Sequence, residues 1–195
     1  MPSTEAPVFW LPALSPHAFE LRTSPASGDD PAEMLVDLSG LSGLDVCMAS
    51  DGASHGLWRS DDAAHQFWLA EPLPIDAGTF IVILPFDRLL ELRVAAMLHF
   101  WRALQGRPPG DWRSELPQQT RDRHILTLRA LDGRLSGASY RQIAEVLLGF
   151  RGAKADWETD PRKNRARRLV ADGERLMRGG YRELLHYPVH LPRRR

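Results

Sequence analysis

The chain has 195 residues, room for one domain or two small ones, and 43% of them are apolar, which excludes disorder throughout. Its 25 Lys and Arg balance 25 Asp and Glu, but the balance hides two opposite halves. Residues 1–120 carry 7 basic and 16 acidic residues while 121–195 carry 18 and 9, so the second half asks for an anionic partner, nucleic acid first.

The single cysteine, Cys47, excludes an internal disulfide and a thiolate metal site, and it fits a reducing cytoplasm. The start has no basic region followed by an apolar core, so no secretory signal is expected. The most apolar stretch, 89–104, is broken by Glu91, Arg93, His99 and Arg102 and is too charged to span a bilayer. The expectation is a cytoplasmic protein with no membrane partner.

In chain order, residues 1–32 hold six prolines among Ser, Asp and Gly and read as an irregular arm, with Phe9, Trp10 and Leu11 docking on the body. Five short runs rich in Val, Ile, Phe and Trp follow, at 34–38, 44–48, 56–59, 66–69 and 79–84, parted by Gly, Ser, Asp or Pro. That spacing predicts a small antiparallel meander, with Cys47, Trp58, Phe67 and Trp68 in its core. Pro85 ends the last run, and a helix is expected over 86–105, apolar nearly all round and therefore buried, with His99 a core histidine. Residues 33–110 are expected to form this first domain, stopped by Gly106, Pro108 and Pro109.

The remainder, 118–187, reads as helices followed by a basic tail, 188–195. One helix covers 121–135. Ser139 caps a second over 140–148, closed by Gly149. A loop is expected over 149–160. Asp160 before Pro161 then starts a helix over 161–178, which Gly179 and Gly180 end, with a last helical turn at 181–185. On a helical projection of 161–178, Ala166, Leu169, Val170, Gly173, Leu176 and Met177 share one side, and the arginines lie outside it. Such a helix packs on a core while offering guanidinium forks that suit phosphate oxygens and guanine edges. On charge alone a solvated face is the commoner reading of such a helix. The pattern before it, GlyAlaSerTyrArgGlnIleAlaGluValLeu at 137–147, resembles the first helix of a helix-turn-helix, with Ala144 small enough for a close crossing. The 12 residues between the two helices exceed an ordinary turn, so the motif would be a variant.

Residues 123–147 with their AlaLeuAspGly and AlaSerTyrArg blocks, the LeuMetArgGlyGlyTyr block within 167–185, and the lead-in 84–102 together resemble a proteobacterial family. It includes the DNA-binding domain of the type VI secretion transcription factor RovC, the FseA activators and the QseM antiactivators of conjugative transfer. The resemblance covers about residues 80–187 and implies a variant helix-turn-helix domain in transcriptional control, one branch binding DNA and another binding and silencing protein activators. The arginines favour DNA here.

Catalytic patterns are missing. The histidines show no metalloprotease spacing, no nucleophile elbow or phosphate-binding glycine loop is present, and the adjacent Asp61 and Asp62 point different ways. These features predict an α+β, non-enzymatic regulator without cofactor or metal: a small antiparallel meander with a central helix, then a helix-turn-helix-like α bundle. Arg162, Lys163, Arg165, Arg167, Arg168 and Arg175 are the expected DNA contacts, with Arg141 and Arg151 as second-rank phosphate contacts. Double-stranded DNA is the expected partner, and another regulator, RNA polymerase and a second copy of the chain are further candidates. The alternative is an antiactivator that silences another regulator through the same domain.

Overall fold

The computed structural model describes residues 7–25, 32–60, 63–108, 116–189 and 191. They divide into two compact units, one within Met1–Arg113 and Pro188–Arg195, the other within Ser114–Tyr187. The first is a mixed sheet with a helix and the second is built of helices, an α+β chain. Asp61, Asp62, residues 192–195 of the basic tail and parts of the proline-rich arm lie outside the described residues.

The sheet has strands β1 (Ala18–Ser24), β2 (Leu44–Met48), β3 (Ser54–Ser60), β4 (Ala63–Leu69) and β5 (Thr79–Ile83), in the order β2-β3-β4-β1-β5. The antiparallel succession β2-β3-β4 is as the spacing predicts, in register Val46↔Gly56 and Gly56↔Phe67. The purely antiparallel meander ends there. β1 comes from the stretch expected to be irregular and lies between β4 and β5, parallel to the former and antiparallel to the latter. Its alternation explains the place: Phe19 and Leu21 are buried, Glu20 and Arg22 are not, a period-two pattern overshadowed in the sequence by Pro16 and Pro25. The run at 34–38 forms no strand, only an isolated bridge from Val36 to Gly78. Asp37 turns the chain instead. Its carboxylate accepts the Gly40 N–H at 2.8 Å and the Ser39 hydroxyl at 2.8 Å, and these bonds, the first above all, hold its carboxyl below the usual range.

Helix α1 (Leu90–Leu104) begins later than predicted, because Asp87 accepts the Leu89 N–H at 2.8 Å and shapes a turn that leaves Phe86 exposed. Nor is the helix buried all round. Leu92, Ala96, His99 and Phe100 are buried, whereas Val94 is 39% and Leu98 42% exposed. The Phe100 ring sits 5.1 Å from Phe19 and 5.8 Å from both Trp58 and Phe67, and this cluster is the core of the unit. Gly56 makes room for it, since any Cβ there would run into the Phe67 ring. Cys47, expected in the core, is exposed because β2 is an edge strand whose later residues are uncovered.

The second unit contains α2 (Gln118–Leu135), α3 (Tyr140–Leu147), α4 (Lys154–Thr159), α5 (Pro161–Arg175), a π-helical turn (Leu176–Gly180) and α6 (Arg182–Leu185). Ser139 caps α3 in a full capping box: its hydroxyl accepts the Gln142 N–H at 3.3 Å, and the Gln142 side chain accepts the Ser139 N–H at 2.8 Å. The stretch 149–160 is not all loop. Asp156 accepts the Ala153 N–H at 2.7 Å and starts α4, whose buried Trp157 meets Phe150 at 5.1 Å. The Asp160 carboxylate caps α5 by accepting the Arg162 N–H at 2.7 Å. Regular helix ends at Arg175, earlier than predicted. The π-helical turn follows and Gly179, at φ +116°, breaks it. Ala130, Ile143, Ala144, Ala166, Leu169 and Val170 join Phe150 and Trp157 in one core. Among the described residues no helix is long and apolar enough to cross a membrane.

Candidate nucleic-acid interface

The basic character of the second unit concentrates on α5, and packing decides which cations are offered outward. Ala166, Leu169, Val170 and Gly173 are buried, so the charged positions around them must face solvent or the flanks of neighbouring helices. Gly173 sets the closeness: a Cβ there would stand 2.9 Å from the Leu131 Cβ and 3.2 Å from the Thr127 carbonyl oxygen. α5 therefore sits on α2 almost backbone to backbone, and its register and rotation are fixed by contact.

The predicted residues divide by what holds them. Arg162 is paired with its cap, Asp160, at 3.1 Å, and Arg175 with Glu183 at 3.2 Å. Lys163 is ion-paired with Glu158, and the Lys163 hydrogen bond and charge hold the Glu158 carboxyl below its usual range. Arg141 is structural in its contacts. It binds Glu145 at 2.9 Å and the Gly152 carbonyl at 2.9 Å, and its guanidinium lies 5.8 Å from the Phe150 ring. Arg151 is exposed beyond the end of α3. Arg165, Arg167 and Arg168 are exposed, and among the described residues none of the three is in an ion pair.

The structure brings Arg167 together with two residues the sequence reasoning did not single out. Tyr140, first in α3, has the Arg134 guanidinium 4.8 Å from its ring centre and that of Arg167 at 5.9 Å. The ring thus joins cations from α2 and α5 at the capped start of α3. No linear spacing reveals this, because 134, 140 and 167 belong to three helices. On the opposite flank of α5, Arg165 and Arg168 face the first turns of α2, where Arg123 pairs with Asp172 at 3.0 Å. The predicted residues of α5 therefore form two flanks rather than one uniform face, and Arg141 and Arg151 lie off that helix. Among the described residues no His, Cys, Asp and Glu side chains gather in a group of three that could hold a metal ion.

In comparison with known families, residues 83–186 match the family of the T6SS transcription factor DNA-binding domain, RovC_DNA-bd. No curated protein matches the chain. The family match covers more than half of the sequence, and the chain belongs to this family.

Proposed function

We propose that this member of the RovC DNA-binding domain family is a DNA-binding transcriptional regulator that works through a variant helix-turn-helix, α3 and α5 with the short α4 inserted between them. α5 is the recognition element. The observation that carries the reading is the trio Arg165, Arg167 and Arg168, exposed and in no ion pair among the described residues, on a helix whose other side is locked into the core. Exposed guanidinium groups held in no ion pair at a rigid surface suit phosphate oxygens, and a subset reaching base edges would read sequence. Arg134, Tyr140 and the capped start of α3 extend the surface toward the backbone of the duplex. Arg162, Lys163 and Arg175 already hold carboxylates and add charge only after exchanging partners. The working place is the cytoplasm, and the regulated functions are of the secretion or conjugative-transfer kind.

A second reading, an antiactivator that binds another regulator through the same domain, draws on the exposed apolar side chains Ile125, Leu128 and Leu135 of α2 and Val146 of α3. Titration with duplex DNA at two salt concentrations separates the two. The DNA reading expects binding that weakens as salt rises and is lost in the Arg167→Ala, Arg168→Ala double variant. No binding at low salt, with a partner regulator co-purifying, supports the antiactivator instead.

A further inference from the structure

The flank of α5 that carries Arg165 and Arg168 walls a cleft. It lies between α5 and the N-terminal half of α2 and has a volume of about 960 Å³, at the upper end of the range for small-molecule sites, about 300–1,000 Å³. Leu169 and Leu176, both buried, give it an apolar floor together with Leu126. Arginines stand on both sides. Arg123 is neutralised by Asp172 and Arg175 by Glu183. Arg165 and Arg168 are in no ion pair among the described residues, and the cleft's other carboxylate besides Asp172, that of Asp122, accepts a hydrogen bond from the Gln118 side chain at 2.8 Å. A concave apolar floor beneath two guanidinium groups held in no ion pair suits a compact ligand with one doubly charged head and one flat body.

We propose that the α2–α5 cleft binds a small organic dianion, a phosphate monoester carrying a planar ring, of mononucleotide size. The phosphate takes Arg165 and Arg168, whose forks bond such oxygens bidentately. The ring lies over Leu126 and Leu169, where burial of its faces adds to the charge interaction. Binding at this site is independent of the DNA reading. Its consequence rests on that reading: a dianion on Arg165 and Arg168 removes two cations from the proposed DNA surface and weakens DNA binding.

The test is calorimetric titration of the full chain with AMP, without DNA, alongside adenosine and two variants. Arg165→Ala removes the head contact. Gln119→Trp places bulk at the exposed α2 wall of the cleft without changing charge. The expected result is saturable binding of one AMP per chain, no binding of adenosine, and affinity at least about tenfold weaker in Arg165→Ala and reduced in Gln119→Trp. Absence of saturable binding at millimolar AMP, equal uptake of adenosine, or affinity unchanged in both variants overturns the site. A second titration, of duplex DNA with and without saturating AMP, reads the coupling. DNA affinity that falls with AMP in the wild type but not in Arg165→Ala is expected, and unchanged affinity overturns the coupling. Failure of the DNA reading looks different: no DNA binding in either condition, with AMP binding intact.

Discussion

Two glycines on facing helices are expected to respond to alanine with opposite signs. Gly173 lies within α5 and Gly133 within α2, and neither has a positive φ. Alanine gains about 1 kcal/mol over glycine in a helix interior. At Gly133 the added methyl meets the Ile143 Cγ1 at 3.5 Å and the Ala138 Cβ at 4.0 Å, ordinary contact, so most of the gain is realised and stability rises by about 0.5–1 kcal/mol. At Gly173 it meets the Leu131 Cβ at 2.9 Å and the Thr127 carbonyl at 3.2 Å. Carbon atoms rest about 3.5–4.0 Å apart, so the helices must part by about half an ångström or more, and neither blocking atom can swing aside. Overpacking of this kind costs about 1–3 kcal/mol. Against the propensity gain, Gly173→Ala is expected to lose about 1 kcal/mol, a fall in melting temperature of about 4–8 °C for a unit of this size. Denaturant melts of both variants, with the wild type beside them, measure the pair. A stabilised Gly173→Ala, or equal shifts in both, would refute the close seating of α5 on α2.

Loss of a helix cap should be visible in the same melts: Ser139→Ala removes one arm of the capping box of α3 and should cost about 1 kcal/mol, and no change would mean the box does not form in solution. Arg141→Ala is expected to lower the melting temperature more than it lowers DNA affinity, since its partners are Glu145, Gly152 and Phe150; the reverse order would make it a DNA contact. Glu158→Gln frees Lys163 and removes a negative charge beside α5, so DNA binding should tighten about two- to fivefold, the scale of an exposed ion pair; looser binding would contradict it. The pH dependence of that pair follows from the lowered Glu158 pKa: its contribution is present above the ordinary value of 4.5 and is lost as pH falls through the lowered one. Acid titration of wild type and Glu158→Gln, followed by NMR of the Lys163 side chain, should show a transition in the wild type alone.

Helix starts with a chemical signal were legible in the sequence. Ser139 and Asp160 mark the first residues of α3 and α5 because a short acceptor side chain next to free N–H groups acts locally. β1 was missed because prolines outnumbered a four-residue alternation, and because parallel pairing with β4 joins residues 18 and 66, a contact no local pattern announces. α4 hid for a similar reason: its start is an Asp156 bond to Ala153, with no conventional cap residue at 153. For the site, the charged helix and its buried stripe could be read from periodicity, whereas the division of its cations could not. Which cation of α5 is spent on a carboxylate depends on Glu158 of α4 and Glu183 of α6, while Asp172 of α5 itself is taken by Arg123 of α2.

The central claim is that α5 meets DNA through its exposed arginines that are in no ion pair. The direct measurement is the dissociation constant for duplex DNA over a salt series, for the wild type and the Arg167→Ala, Arg168→Ala variant. Each phosphate contact adds about 0.9 to the slope of log affinity against log salt. The account predicts salt-sensitive binding by the wild type and either a slope shallower by about two or no measurable binding in the variant. Wild-type protein that fails to bind DNA at low salt, or a variant with the same slope and affinity, would contradict it.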